Sequence, residues 1–222
     1  TTGFVMTKYF VDEKTKTEAY VGYRAASKAI VVAFEGSHNT QNWIVNLQFL
    51  KADFDYPGAE HARVHGGFYK AYKNIQVDVE NDVGALVDQF PDYQVYVTGH
   101  SLGGALAAFA ALDITVNRPH VPVNVYTFGS PRVGNDAFQL YFQAQISNSI
   151  RVVNKADIVP PLPPRAFNFH HVPREVWVEK SGVIVVCNGS GEDPHCSDSL
   201  RTPWSTKDHL EYLGVVQGQG AC

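Results

Sequence analysis

The sequence lacks several features that whole classes of protein require. Only 18% of the 222 residues are charged, and 18 Lys and Arg against 22 Asp and Glu give a formal net charge of −4. Nucleic-acid-binding proteins carry a basic stripe that neutralises phosphates, so this balance excludes a nucleic-acid partner. No apolar run approaches the roughly 20 residues that cross a bilayer, which excludes a transmembrane segment. Hydrophobic residues make up 45%, which is typical of a globular chain.

Cysteine is also scarce, with only Cys187, Cys196 and Cys222. The first two flank a turn-rich stretch and predict a local disulfide, which leaves Cys222 for another segment or chain, or as a free thiol. Three reduced thiols in a cytosolic protein remain the alternative. The single N-glycosylation sequon, Asn188-Gly189-Ser190, adds weak support for the secreted, extracellular location that we predict. The chain begins without the basic and apolar regions of a signal peptide, so we expect any such peptide to have been removed.

Strand and helix patterns alternate along the chain without a repeat or linker, which predicts a single domain over residues 1–222. Such alternation is typical of an α/β fold with a largely parallel sheet and helices on both faces. The predicted strands are Glu18–Arg24, Ala29–Glu35, Gln94–Thr98, Val123–Phe128, Ser149–Asn154, Val176–Val178 and Val183–Cys187. The predicted helices are Phe68–Phe90, Ser101–Thr115 and Asp136–Ile146, with a terminal helical turn at Ser205–Leu213.

The most specific motif lies between a predicted strand and a predicted helix. It satisfies the G-x-S-x-G pattern of a nucleophile elbow, in which the serine stands on a tight turn. The positions two before and two after the serine approach neighbouring backbone too closely for a side chain, so both are glycine. The motif reads Gly99-His100-Ser101-Leu102-Gly103-Gly104. Ser101 is therefore the predicted nucleophile.

A serine nucleophile needs a histidine that removes its proton and a carboxylate that orients the imidazole. In folds that carry such an elbow, the chain order is serine, then acid, then histidine. Of the candidates His170, His171, His195 and His209, we choose His209, which lies in a short terminal helical segment.

Asp157 is the best candidate for the acid. It follows a predicted apolar strand by three residues, which places it at the carboxyl edge of the sheet, where chemistry occurs in such folds. Asp136 is the second choice, but it stands at a predicted helix start, where an acid is more simply a cap. Asp208 is too close to His209 in sequence to face its ring easily.

With these residues in place, the chain resembles the filamentous-fungal lipases, the class 3 lipases. The resemblance covers nearly the whole chain, and the motifs stand in the family's order. Besides the elbow they are Phe34-Glu35-Gly36-Ser37, Val64-His65-Gly66-Gly67-Phe68, Thr127-Phe128-Gly129-Ser130-Pro131-Arg132-Val133-Gly134, Arg151-Val152-Val153-Asn154-Lys155-Ala156-Asp157-Ile158-Val159-Pro160 and Asp208-His209-Leu210-Glu211-Tyr212.

The resemblance implies an α/β-hydrolase fold and the same Ser101–Asp157–His209 triad. It also implies that Ser37 and the backbone N–H of Leu102 form an oxyanion hole, whose preorganised donors stabilise the tetrahedral intermediate.

Two departures from the family pattern stand out. The family usually has Arg where this chain has Glu35, so we expect that carboxylate to point away from the oxyanion or to have a partner. The N-terminal helix of the family is absent, and we expect a preceding segment to be missing or cleaved. Cys222 would then bond to a segment that is not in this chain, because the family often ties that helix to the C-terminus.

The segment after Ser37 bears on the substrate class. If Gln41–Leu50 is partly helical, Trp43, Leu47 and Leu50 share one apolar face, with Ile44 beside them and Asn42 and Asn46 opposite. That pattern is typical of a short lid, over residues 38–50, that opens at a lipid surface. Lipases of the resembling family carry such a tryptophan-bearing lid, whereas the related feruloyl esterases have a more polar loop. Trp43 and Leu47 as ordinary core residues remain the alternative.

The sequence therefore predicts an acylglycerol lipase that acts at a lipid–water interface. A feruloyl-type or other soluble-ester carboxylesterase is the alternative, and a non-catalytic lipid-binding protein on a hydrolase fold is a remote one. We expect Trp43, Val159, Leu162 and Leu210 to line the acyl pocket. The reaction needs no metal or other cofactor, and no His, Cys and Asp cluster has zinc-like spacing.

Overall fold

The structure is a computed structural model that describes residues 3–37, 39–201 and 204–217. Its centre is an eight-stranded sheet with the strand order β1-β2-β3-β6-β7-β8-β9-β10, and two short pairs, β4 with β5 and β11 with β12, lie outside it. The strands, numbered along the chain, are β1 (Phe4–Asp12), β2 (Thr17–Arg24), β3 (Ala29–Phe34), β4 (Lys51–Asp53), β5 (Arg63–His65), β6 (Gln94–His100), β7 (Val123–Phe128), β8 (Asn148–Asn154), β9 (Glu175–Val178), β10 (Ile184–Val186), β11 (Glu211–Tyr212) and β12 (Val215–Val216).

The sheet is parallel in its middle and antiparallel at its edges. Strands β3, β6, β7, β8 and β9 run parallel to one another, whereas β1, β2 and β10 pair antiparallel with their neighbours. The sequence predicted every strand of this sheet except β1, whose side chains are mostly exposed and so show no two-residue alternation. The predicted α/β fold with a mostly parallel sheet is confirmed.

The described helices are α1 (Thr40–Asn46), α2 (Gly66–Gln89), α3 (Leu102–Asn117), α4 (Asp136–Gln145) and α5 (Thr206–His209). The predicted terminal turn is thus a short helix that gives way to β11 at Glu211. The three longest helices, α2, α3 and α4, contribute to one hydrophobic core together with the sheet residues Val32, Val97 and Val125. Residues that alternate with these, such as Tyr96 and Tyr126, belong to the opposite sheet face and are only half-buried.

The distribution of the long helices differs in one respect from the expectation of helices on both faces. Parallel strands that follow one another in both sequence and space, joined by right-handed crossovers, place all their connecting helices on the same face. The strand order β3-β6-β7-β8 meets that condition, so α2, α3 and α4 share one side of the sheet.

The predicted disulfide is present. Cys187 and Cys196 are bonded, with their Cα atoms 6.1 Å apart. Cys222 lies outside the described residues, and its predicted bond to another segment stays a prediction. Within the described ranges no helix is both long and apolar enough to cross a membrane.

Helices α2 and α3 enclose a carboxyl group, that of Asp113, which is 1% exposed. Its Oδ2 accepts hydrogen bonds from the hydroxyl of Tyr72 and from Nε2 of Gln76, the latter at 2.7 Å. Among the described residues its Oδ1 has no hydrogen-bond partner. Burial raises the pKa of Asp113 to about 7, because the charged form is poorly solvated there.

We expect Asp113 to make the protein less stable as the pH rises. The folded state keeps the Asp113 proton up to a pKa of about 7, whereas the unfolded chain releases it near pH 4. The contribution of Asp113 to the free energy of unfolding is full below about pH 4 and is lost as the pH rises to about 7. One pKa unit corresponds to about 1.4 kcal/mol, so the loss amounts to at most about 4 kcal/mol.

Urea unfolding of the wild type and of Asp113→Asn at pH 5 and pH 8 measures this contribution. Relative to the wild type, Asp113→Asn should be more stable at pH 8 than at pH 5, because only the wild type loses stability over that range. The comparison of the two proteins cancels the opposite effect of the buried His65 and His100, whose pKa values burial lowers to about 4 and about 3. A relative stability that does not change with pH would contradict the prediction.

Candidate active site

Ser101 stands on the sharp turn between β6 and α3. Its φ of 56° and ψ of −126° lie in a region that residues with a side chain rarely adopt. A Cβ on Gly99 would lie 2.2 Å from the carbonyl oxygen of Gly103, and one on Gly103 would lie 2.2 Å from that of Phe34. Neither position has room for a side chain, which is the steric requirement of a nucleophile elbow.

Asp157 lies three residues after β8 and is 1% exposed. Its carboxylate accepts hydrogen bonds from Nδ1 of His209, at 2.8 and 2.9 Å, and from the backbone N–H of Val159, at 2.8 Å. The hydroxyl of Tyr212 also donates to it. The predicted acid and the predicted base are thus hydrogen-bonded to each other. Three groups in all donate to the carboxylate.

His209 ends α5 and is fully buried. Because Asp157 accepts from its Nδ1, its Nε2 is the nitrogen that remains for a proton from Ser101. In the described part of the chain, both His209 Nε2 and Ser101 Oγ are buried and lack a hydrogen-bond partner. Catalytic hydrogen bonds are often long without substrate and tighten in the substrate complex, so this arrangement suits a general base and its nucleophile.

His100, which precedes the predicted nucleophile, contacts the predicted base directly. Nε2 of His100 donates a hydrogen bond to the backbone carbonyl of His209 at 2.8 Å, and the two rings lie 4.3 Å apart. Burial, and then the proximity of His209, lower the pKa of His100 to about 3. His100 is therefore neutral at physiological pH and adds no charge beside the base. The sequence analysis gave this residue no role, although it lies within the elbow motif.

Ser37 and Leu102 line one cavity of about 440 Å³. Leu102 is the first residue of α3, so its N–H belongs to the four that have no partner within the helix. The loop before Ser37 approaches the elbow closely, because a Cβ on Gly36 would lie 3.3 Å from the Cβ of Ser101. The backbone before Ser37 therefore approaches the turn that carries Ser101.

Glu35, which departs from the family pattern, is exposed. Its backbone N–H donates to the carbonyl of Glu18 at 2.9 Å, in continuation of the β2–β3 pairing. Its charge reaches Tyr9, whose pKa is raised to about 12, chiefly by a hydrogen bond to Glu18 and in small part by Glu35. The Glu35 residue is therefore exposed, and its charge acts on a residue of β1.

The predicted lid contains a shorter helix than expected. Helix α1 covers Thr40–Asn46, and the Asn39 side chain caps it by accepting from the N–H of Asn42 at 3.0 Å. Trp43 and Leu47 are half-buried against the core, and the Trp43 ring stacks on Phe68 at 5.9 Å. Leu50 was predicted to share their face, but it is 69% exposed because the helix ends before it. His38 lies outside the described residues.

The cavity lined by Ser37 and Leu102 includes residues to which the sequence analysis gave no role. His65 and Phe68 line it together with Trp43. The ring of His65 stacks on that of Phe68 at 3.7 Å, and its Nδ1 accepts from the Phe68 N–H at 3.2 Å. Both residues belong to a motif of the family resemblance, and that motif was the only sequence signal for them.

The other predicted acyl-pocket residues do not line this cavity. Val159 is fully buried, and its N–H holds Asp157. Leu162 is half-buried, and its carbonyl accepts from the N–H of Arg132 at 2.7 Å. Leu210 follows His209 and is 36% exposed. Of the four residues predicted to line the acyl pocket, only Trp43 lines this cavity.

The alternative candidates for acid and base have other contacts. Asp136 is exposed in the first turn of α4, where its carboxylate accepts from the Ala137 N–H at 2.9 Å, as a capping acid does. The side chain of Asp208 accepts from the Ala156 N–H at 3.3 Å. The side chain of His195 is 91% exposed in the disulfide loop. None of these three residues takes part in a second carboxylate–histidine pair beside Ser101.

One group of potential metal ligands occurs among the described residues. Glu175, Cys187 and Cys196 present ligand atoms within 4.8 Å of one another. The two sulfurs are bonded to each other and so offer no thiolate. Glu175 pairs with Arg151 at 2.7 Å. We assign no metal site to this group.

Comparison with known proteins places this geometry in a family. Residues 31–167 match the family described as lipase (class 3), which covers more than half of the chain. The chain belongs to the class 3 lipases. It is 38% identical over 207 residues to a lipase from Rhizomucor miehei, covering 91% of this chain and 56% of that protein. It is 38% identical over 187 residues to secreted mono- and diacylglycerol lipase 1 from Fusarium solani, covering 81% and 55% respectively.

Solved structures agree with this family assignment. The Rhizomucor miehei triacylglyceride lipase superposes with a TM-score of 0.91 and 36% identity, covering 97% of this chain and 83% of the other. The lipase from Rhizopus microsporus var. chinensis gives a TM-score of 0.93 and 34% identity, covering 97% and 76%. The α/β-hydrolase fold is therefore established for this chain. The chain spans about half the length of the curated relatives that it matches.

Proposed function

We propose that this chain is a lipase that hydrolyses the carboxylic ester bonds of acylglycerols through an acyl-enzyme. The observation that carries the proposal is the buried Asp157–His209 pair beside a serine on a glycine-flanked elbow. Relatives that are named lipases, and one that is named a mono- and diacylglycerol lipase, support the substrate class. The disulfide and the secreted relative support an extracellular location.

In the first step Ser101 Oγ attacks the ester carbonyl carbon while its proton moves to Nε2 of His209. The carboxylate of Asp157 stabilises the imidazolium that forms. The negative charge on the former carbonyl oxygen is held by Ser37 and by the N–H of Leu102. In a comparable hydrolase, removal of one such donor costs about 3–4 kcal/mol of transition-state stabilisation.

The tetrahedral intermediate then collapses with cleavage of the bond to the alcohol. His209 gives its proton to the departing alkoxide, and the acyl group stays on Ser101 as an ester. A water molecule, deprotonated by the same imidazole, attacks that ester, and the fatty acid leaves. Every proton transfer uses the chain's own residues, so the cycle is complete without a metal.

We also propose that α1 is a lid that gates the site. Ser101 and His209 are 1% and 0% exposed, so a bulky ester has no direct access to them. The apolar residues Trp43 and Leu47 face inward in this closed arrangement. At a lipid surface they gain an apolar environment when the helix rolls outward, which favours the open state there.

The experiment is the rate of hydrolysis of a short triglyceride, measured at increasing concentration through its solubility limit. We expect the rate to jump when droplets form, with no cleavage of methyl ferulate. Trp43→Ala should reduce the jump, whereas Val45→Thr, on the same helix but 83% exposed, should keep it. A smooth saturation curve with turnover of methyl ferulate would instead support the soluble-ester esterase and make Trp43 a core residue.

A further inference from the structure

The sequon contained in the disulfide loop lies at an exposed turn. Asn188 and Ser190 are both exposed, and Gly189 between them has φ 81°. The backbone of the turn is held from inside, because the Asn188 N–H donates to the carboxylate of Asp193 at 2.8 Å. The loop therefore presents the Asn188 side chain to solvent while its backbone stays anchored.

The disulfide that closes this loop supplies a second, independent observation. Cys187 precedes Asn188 directly, and its bond to Cys196 forms and persists in an oxidising compartment. In eukaryotes that compartment is the secretory pathway, which also contains the enzyme that glycosylates sequons. A chain that acquires this disulfide there has also been exposed to that enzyme.

The neighbouring strand supplies the third observation. β10 is the last strand of the eight-stranded sheet, so among the described residues one of its edges has no strand beside it. Val183, Ile184 and Val186 are 55%, 61% and 76% exposed, and no charged residue occurs from Val183 to Cys187. An unprotected apolar edge is open to pairing with another chain, although β10 itself spans only three residues. The opposite edge strand, β1, carries an exposed lysine, Lys8, which is a usual protection.

We propose that Asn188 carries an N-linked oligosaccharide and that this sugar shields the open edge at β10. Asn188 stands two residues beyond Val186, roughly 7 Å along an extended chain, and a core oligosaccharide of several sugars is longer than this distance. The hydrated sugar keeps a second sheet edge from approaching, much as a charge does on β1.

The modification forms one bond and breaks one. The Asn188 side-chain nitrogen bonds to the anomeric carbon of an N-acetylglucosamine and loses a proton. The oligosaccharide comes from a lipid-diphosphate-linked donor, whose diphosphate is the leaving group. This inference goes beyond the proposed reaction, since Asn188 takes no part in the triad, but it depends on the proposed secretion.

The test is to secrete the chain from a filamentous-fungal host behind that host's own leader. We expect the intact mass to exceed the sequence mass by one oligosaccharide, which endoglycosidase removes and peptide mapping assigns to Asn188. Asn188→Gln and Ser190→Ala should lose the added mass, whereas Ser190→Thr should keep it. Secreted wild type with unmodified Asn188 would overturn the inference. A chain held reduced inside the cell would instead overturn the proposed secretion on which it depends.

The shielding role is tested by the association state. Under sedimentation, the glycosylated protein should stay monomeric, whereas enzymatically deglycosylated protein and Asn188→Gln should each show a several-fold larger associated fraction. Adding Val186→Lys to Asn188→Gln should restore the monomer, because a charge then protects the edge. Turnover of a dissolved short-chain ester serves as the check that each variant is folded. Deglycosylated protein that remains monomeric would overturn the shielding role.

Discussion

Ser101→Ala is expected to lower kcat for a dissolved short-chain ester by about 10⁶-fold, as loss of the nucleophile does in a serine protease with the same triad. Without Oγ no acyl-enzyme forms, and only the oxyanion donors and binding remain. The substitution removes one oxygen and keeps the Cβ, so the unusual backbone at φ 56° is not strained further. The variant should therefore fold with the stability of the wild type, and the loss should be purely kinetic.

The matched control is Ser149→Ala, a buried serine at the start of β8, far along that strand from Asp157. It should keep its activity within about tenfold, since it loses only a hydrogen bond to the backbone. Initial rates with an active-site-titrated wild type give both numbers. A Ser101→Ala variant that retained a few per cent of the activity would mean that another residue is the nucleophile.

Asp157→Asn is expected to lower kcat by about 10⁴-fold, as the same change does in a serine protease. The carboxylate accepts from His209 Nδ1, which leaves Nε2 free to take the proton. An amide nitrogen at that position donates instead, so the imidazole adopts the wrong tautomer. The Tyr212 hydroxyl, which donates to the same carboxylate, then holds the side chain in place without restoring the function.

Asp136→Asn is the control for this variant, because Asp136 was the other candidate for the acid and is exposed at the start of α4. Its activity should stay within about twofold of the wild type. The measurement is kcat for a dissolved ester, together with circular dichroism as a check of the fold. If Asp136→Asn were the inactive variant, or if Asp157→Asn kept its activity, the acid would be misassigned.

The part of the site that could be predicted from sequence is the part governed by local rules. The glycines of the elbow follow from steric contacts within a few residues, and those contacts are present at Gly99 and Gly103. Asp157 could be placed because the carboxyl ends of parallel strands meet at one edge of the sheet. In the structure Asp157 and His209 are joined by hydrogen bonds, although these residues stand 52 positions apart.

The parts that could not be predicted depend on contacts between distant segments. Tyr212 and His100 contact the predicted acid and base only because the segment that carries His209 and Tyr212 packs against the end of β6. His65 lines the cavity through stacking on Phe68, which no spacing rule reveals. Leu50 fits a helical periodicity, but the helix ends at Asn46, and periodicity alone does not locate such an end.

At the level of the fold, the sequence analysis did not recover β1 or the two short strand pairs, β4 with β5 and β11 with β12. β1 is exposed along most of its length, so it carries no alternation that marks a strand. The one-sided packing of α2, α3 and α4 follows from the order of the strands in space. Alternating strands and helices in the sequence do not determine that order.

The most direct test of the account is covalent labelling with a p-nitrophenyl alkylphosphonate, followed by intact mass and peptide mapping. Oγ of the nucleophile bonds to phosphorus, and p-nitrophenolate leaves. We predict one adduct per chain at Ser101, formed faster when lipid droplets are present, absent in Ser101→Ala and much slower in Asp157→Asn. No adduct, or an adduct on another residue, would contradict the proposed nucleophile. Labelling of Ser101 at the same rate with and without droplets would contradict the lid.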